Sequence, residues 1–160
     1  MFKFMKKNKE VELISPITGN IIPLEKVPDP VFSEKIMGDG IAIEPSEGKI
    51  LSPIDGKIAT IFPTNHAIGL VNKEGLEILI HIGIDTVELK GEGFNRIAEE
   101  GADVKKGDPL MEIDLEKIKN GGKSTITPII ITNMDKVDKI NKNTGKVERG
   151  NNSILTVHLK

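Results

Sequence analysis

The chain predicts an all-β fold, an antiparallel β sandwich or barrel with two pseudo-symmetric halves and short peripheral helices. Three observations carry that prediction. Short apolar runs of strand length recur between glycine and proline punctuation. One heptapeptide appears twice, as SPITGNI at 15–21 and SPIDGKI at 52–58, each copy entering on Ser-Pro and turning through a glycine. Two copies are too few for a solenoid and fit paired corners of one sandwich. Within Gly75–Phe94, Leu76, Ile78, Ile80, Ile82 and Ile84 alternate with Glu77, Leu79, His81, Gly83 and Asp85, the pattern of a strand with one packed face.

The elements follow in order. MFKFMKKNKE, residues 1–10, is expected as a tail outside a single 11–160 domain, a length sufficient for one sizeable core. Phe2, Phe4 and Met5 beside four lysines give that tail two readings: residues 1–9 touch an anionic membrane surface, or the terminus frays. Val11 to Ile22 reads as strands broken by Pro16 and Gly19. Val27-Pro28-Asp29-Pro30-Val31-Phe32 is too proline-rich for a central strand, so it is a loop over the core or part of a docking surface. Asn72–Gly75 reads as a hairpin turn between strands at 67–71 and 76–81. Residues 95–100 before Gly101 read as one or two helical turns. Val104–Ile113 is a turn into a strand, and 114–120 is a short helix capped by Asp114 and ended by Gly121. Strands at 125–132 and 153–159 close the fold, with His158 at an ordinary surface position.

Composition narrows the function. A net charge of -2 offers no electrostatic footprint for nucleic acid, and the absence of tryptophan and tyrosine removes base-stacking platforms. With no cysteine there are no disulfides, no thiol catalysis and no thiolate-held metal. No apolar run approaches the ~20 residues of a membrane span and no signal-peptide pattern is visible, so a cytoplasmic location is expected.

The chemistry concentrates on two imidazoles. His81 stands on a strand beside Gly83, which has no side chain to fill the space. The hairpin returns His66 to its side, so both rings are expected to share one patch. Several other motifs fail. Gly121–Thr125 lacks the leading glycine of a phosphate loop, Lys117 standing in its place. Gly91-Glu92-Gly93 lacks the third glycine of a dinucleotide fingerprint, where Arg96 stands. VKKGDPLMEI suggests a biotinyl or lipoyl carrier, yet there is no Met-Lys-Met turn for attachment.

A zinc metallopeptidase of the LytM type is the alternative, with His66, His81 and Asp85 as ligands. It lacks the His-x-His element, and in a regular strand residues 81 and 85 lie roughly 13 Å apart, so coordination requires a bend at Gly83. A weak zinc shared by His66 and His81 remains compatible with either reading.

HIGIDTVELKGEGF at 81–94 resembles the phosphorylation-site signature of the glucose-type IIA components of the bacterial phosphoenolpyruvate-dependent sugar phosphotransferase system. TNHA at 64–67 resembles that family's second-histidine motif, and VPDPVFSEKIMGDGIAI, RIAEEG and KSTITPIIITNMD are similar as well. The resemblance runs from about Val11 to the C-terminus and implies an antiparallel β sandwich. It implies that His81 bears a transient phosphoryl group, with no other cofactor, that His66 is its partner, and that Thr64 orients the site. It implies a histidine phosphocarrier protein as donor and a cysteine on the IIB domain of a sugar permease as acceptor. Val31, Phe32, Phe62, Leu79 and Val87 are then expected as an exposed apolar ring for docking, with Asp29 and Asp85 at its rim. Leu79 and Ile82 stand where relatives commonly carry phenylalanine, and Pro30 where an aliphatic residue is common.

Overall fold

A computed structural model describes residues 9–160. The tail and its membrane foot fall outside the described residues except for Lys9 and Glu10, and Glu10 already belongs to the first strand. The largest sheet has eight strands. From edge to edge they are β13 (Gly145–Val147), β2 (Gly19–Pro23), β3 (Asp39–Pro45), β11 (Thr127–Ile131), β7 (Glu77–His81), β6 (Ala67–Val71), β5 (Gly56–Ile61) and β9 (Asp103–Val104). Two three-stranded sheets accompany it: β1 (Glu10–Ile14), β14 (Ser153–Leu159) and β12 (Val137–Lys142), and β4 (Lys49–Leu51), β10 (Pro109–Ile113) and β8 (Phe94–Arg96). The strand pairs described are antiparallel, as expected, and the helices α1 (Pro30–Ser33) and α2 (Leu115–Asn120) are short.

The repeated heptapeptides form matched corners. Ser15 and Ser52 are fully buried, and their hydroxyls donate to the carbonyls of Ile17 and Ile54 at 2.6 and 2.7 Å. The corners also cross-link: Ile14 N–H donates to Pro53 O and Leu51 N–H to Pro16 O. Each serine carbonyl then accepts from a glycine in a distant turn, Gly150 for Ser15 and Gly107 for Ser52. Proline supplies no amide donor, so the serines satisfy backbone groups that a regular ladder would otherwise pair.

Alternation across the large sheet divides its buried residues in two. Ile41, Ile43, Ile78, Ile80, Ile129 and Ile131 face the main core. Ala42, Leu79 and Ile130 face the other way, into a smaller apolar cluster with Leu24, Val27 and Phe32. The alternation from Leu76 holds through Ile82, which faces the main core, and then breaks: Gly83 takes φ +76 and Asp85 φ +60, and Ile84 joins the smaller cluster.

Two expected elements differ. Residues 95–100 are not helical. Phe94–Arg96 instead pairs with β10, and the amides of both Ile97 and Ala98 reach Leu110 O, while left-handed glycines at 91, 93 and 101 set the turns on either side. The proline-rich stretch contains α1, because Asp29 accepts from Val31 N–H as an N-cap and Pro30 tolerates the first helical position. His158 is half-buried between Glu10 and Asn141, not an ordinary surface position.

Replacing Ser15 or Ser52 by alanine is expected to cost about 1–3 kcal/mol in each case, because a buried carbonyl loses its donor. Urea unfolding of the two variants measures this; a loss confined to one serine would contradict the equivalence of the corners.

Candidate functional site

The antiparallel register of β6 and β7 places Ala67 opposite His81. The residue before Ala67 is His66, whose carbonyl accepts from Ile82 N–H at 2.7 Å. The two imidazoles therefore meet edge to face, with ring centroids 5.2 Å apart and planes at 78°. The tight turn Asn72–Gly75 makes this possible: Asn72 Oδ1 accepts from the amides of Glu74 and Leu76 and fixes the hairpin's closed end.

The chain just past His81 folds back on it. Gly83 O accepts from His81 Nδ1 at 2.8 Å. A carbonyl has only lone pairs, so Nδ1 carries the proton and Nε2 of the neutral ring keeps a free lone pair. The sequence marked Gly83 as a gap beside the ring; its carbonyl was the part not foreseen. A Cβ there would lie 2.5 Å from Thr86 Cγ2 and 2.7 Å from Ser124 O, so only glycine fits. Thr86, which the sequence reading passed over, is fully buried and donates its hydroxyl to Ile82 O, holding the bend from beneath. Thr64 Oγ1 lies 2.5 Å from His66 Nδ1, so the second ring is also held through its Nδ1.

Both imidazoles are pushed below the ordinary value of 6.5. For His66 the cause is burial, then repulsion from His81. For His81 it is again burial, opposed by the Gly83 carbonyl and the carboxylates of Asp29 and Asp85. Both rings are thus uncharged at neutral pH.

The expected apolar ring is only partly exposed. Phe32 is 3 % exposed and Leu79 7 %, so both pack in the core and not as the exposed side chains expected. Leu79 lies between Ile130 and Gly69 in the sheet, and α1 lowers Phe32 onto this floor, where its ring packs at a tilt of 57° against His81, centroids 4.9 Å apart. Phe62 packs edge-on to His66 at 5.3 Å while remaining 36 % exposed. Val31 and Val87 are also exposed, as are Ile36 and Met37, which sequence reading did not select. Asp85 is exposed and Asp29 half-buried.

The three-ligand zinc site is not assembled: among the described residues no three His, Cys, Asp or Glu side chains converge on a common point. The bend at Gly83 brings the backbone, and not Asp85, onto His81 Nδ1. Two imidazoles alone fall short of the three protein ligands of a catalytic zinc.

The chain resembles known proteins over nearly its whole length. The family model described as phosphoenolpyruvate-dependent sugar phosphotransferase system, EIIA 1, matches residues 11–137. The chain is 52 % identical over 154 residues to the PTS system glucose-specific EIIA component of Haemophilus influenzae, covering 95 % of this chain and 93 % of that one. It is 46 % identical over 156 residues to the component of the same name from Staphylococcus epidermidis, covering 97 % and 94 %. Among solved structures it superposes on the glucose permease IIA from Mycoplasma capricolum with a TM-score of 0.86 and 37 % identity, over 98 % of this chain and 99 % of that one.

Depressed imidazole pKa values carry a stability consequence. Unfolded, each ring takes up a proton near pH 6.5; folded, only at lower pH. Their contribution is complete above about pH 6.5, falls as the pH drops towards the folded values, and levels off below them. Denaturant titrations from pH 8 to pH 5 are expected to show this fall, reduced in His81→Gln; an identical pH dependence in that variant would refute burial as the cause.

Proposed function

The chain belongs to the EIIA 1 family of the phosphoenolpyruvate-dependent sugar phosphotransferase system, and we propose that its part in sugar phosphotransfer is that of a phosphohistidine carrier. His81 accepts the phosphoryl group from a histidine phosphocarrier protein and passes it to a cysteine on the IIB domain of a glucose-type sugar permease. The work is done at the cytoplasmic face, and no cofactor is used beyond the phosphoryl group itself. One observation above all supports this reading: the hydrogen bond to Gly83 O leaves Nε2 of a neutral His81 free to attack, with a second imidazole beside it.

In the first half-reaction His81 Nε2 forms a bond to phosphorus as the donor histidine's nitrogen–phosphorus bond breaks, the donor nitrogen keeping the electron pair. In the second, the IIB thiolate forms the new bond and His81 Nε2 takes its pair back. The phosphoryl group passes from nitrogen to nitrogen and then to sulfur, and water is kept away by the apolar surroundings.

The group brings roughly −1.5 to −2 charge, by analogy with phosphorylated hydroxyls. His66 answers that charge. If the Thr64 hydroxyl donates to Nδ1, the His66 proton lies on Nε2, the atom with which it can donate to the phosphoryl oxygens. The arriving dianion also opposes the depression of its pKa, so His66 can become cationic when most needed. Phosphoryl transfer asks for positioning and electrostatic stabilisation, and this pair supplies both. Val31, Phe62 and Val87 form the apolar contact for either partner, with Asp29 and Asp85 meeting a cation on the donor.

Intact-mass analysis after incubation with the phosphorylated histidine phosphocarrier protein is expected to show one acid-labile phosphate, lost in His81→Gln. His66→Gln is expected to accept phosphate but to pass it on about ten- to a hundredfold more slowly, for want of a charge-assisted hydrogen bond. Single-turnover kinetics of both half-reactions distinguish the two roles; phosphate located on His66 would reverse them.

The surface divides in the same way. Phe62→Glu and Val87→Glu should leave stability within about 0.5 kcal/mol and raise the partner KM about tenfold. Phe32→Glu and Leu79→Glu should cost at least about 3 kcal/mol by placing a carboxylate in the core. Thermal melts beside steady-state transfer assays test both; stable, docking-defective Phe32 or Leu79 variants would restore those residues to the contact surface.

A further inference from the structure

Arg96 is a charged side chain beside the Thr64–His66 loop that the transfer reaction does not use. It ends β8, in one of the small sheets, opposite Met111. Its guanidinium reaches into the connection between β5 and β6 of the large sheet, where Nε and Nη2 both donate to Asn65 Oδ1, at 3.0 and 2.8 Å. Arginine offers donors only, so the atom facing it must be the amide oxygen. The nearest carboxylate, Glu99, lies 4.0 Å from Nη1 and is largely exposed, so the grip on Asn65 is the cation's main engagement.

Asn65 lies between Thr64 and His66, whose side chains are joined to each other. It sits at φ +61, where a side chain is disfavoured, and the turn it belongs to is pinned by Asn65 N–H to Phe62 O and Phe62 N–H to Ala67 O. These backbone bonds fix the loop's path. The side-chain grip adds a lateral constraint: it ties the residue between Thr64 and His66 to a different sheet. The neighbouring turn also comes close, since a Cβ on Gly91 would lie 3.7 Å from Thr64 O.

We propose that Arg96 is a positioning residue for the second imidazole: by holding the Asn65 side chain it fixes the Thr64–His66 pair, and so the direction in which His66 presents its Nε2–H. The effect on transfer rests on the carrier reading above; the effect on the ring does not. Charge-assisted bonds from a planar fork restrict both distance and angle, which is what an orienting contact requires. Arg96 touches neither the phosphoryl group nor His81 in this account and acts only through Asn65.

Two variants test the grip from opposite sides. Arg96→Ala removes the donors, and Asn65→Gly removes the acceptor while keeping a backbone that accepts positive φ. The first readout is the imidazole nitrogen-15 spectrum of His66 in the unphosphorylated protein. It should show one dominant tautomer in the parent and movement towards tautomer averaging in both variants, while the His81 signals stay in place.

The second readout is onward transfer at saturating acceptor, expected to slow about tenfold with KM unchanged. In a His66→Gln background the same changes should add no further slowing, because the residue they position is gone. An unaltered His66 spectrum in both variants overturns the proposal, as does equal slowing with and without His66. If Arg96→Ala fails to fold, Asn65→Gly alone decides. If the parent protein accepts no phosphate, the carrier reading falls while the spectra still settle whether Arg96 orients the ring.

Discussion

The site depends on one register. β6 and β7 are paired so that Ala67 faces His81, and with that alignment His66 and His81 come within 5.2 Å of each other. Side chains alternate with a period of two, so a slip of one residue would turn His81 into the main core and bring Ile80 or Ile82 to the surface. The alignment is fixed from both directions. On one face Ile68, Leu70, Ile78 and Ile80 are fully packed, and at the hairpin end Asn72 binds two amides of its own turn. β11 then pairs with the free side of β7, through Ile129 to Ile131, and removes the remaining freedom to slide. The geometry of the imidazole pair is therefore a consequence of core packing.

The same packing sets the charge state. Burying an imidazole disfavours its cation, and both rings are held below their ordinary value chiefly for this reason. A neutral His81 is a nucleophile and a cationic one is not. Asp29 and Asp85 pull in the opposite direction, but burial outweighs them. Phe32 contributes to burial directly, since it covers His81 at 4.9 Å while being almost inaccessible itself. A side chain expected to be exposed instead shapes the environment of the His81 ring.

Much of this was legible in the residues. Alternation from Leu76, the repeated Ser-Pro corners and the polar hairpin turn carry the fold and the meeting of the two histidines, because each is a local signal with a fixed period. The exposure of Phe32 and Leu79 was misjudged for the opposite reason. A strand with two apolar faces reads the same whether its second face meets solvent or a covering segment, and the cover here is α1, four residues long and set by Asp29 and Pro30. The stretch 95–100 was misread because a few charged residues around Ile97 and Ala98 fit a helical turn as well as a bulged strand end; the cross-strand bonds to Leu110 decide it. The Gly83 carbonyl was beyond reach from composition, since a backbone group has no letter of its own.

Local rules fail at places that share a location. Among the described residues the left-handed non-glycine positions are Lys35, Asn65, Asp85 and Lys90. All four lie in the segments that carry or adjoin the site residues: Lys35 follows the α1 segment that covers His81, Asn65 precedes His66, and Asp85 and Lys90 cap the turn Thr86–Leu89 after Gly83. Each such residue costs about 1–2 kcal/mol relative to ordinary backbone, somewhat less for Asn and Asp. That strain persists because neighbouring contacts over-determine it: Arg96 on Asn65, Thr86 beneath the Gly83 bend, and Glu25 on Lys35. Away from these positions the paired serine corners and the alternating strands follow their sequence rules closely. Strain gathered on one side of a rigid sheet allows loops of irregular path to be held in single conformations. Under the carrier reading proposed above, a face built that way would present His81 in one orientation to donor and acceptor in turn.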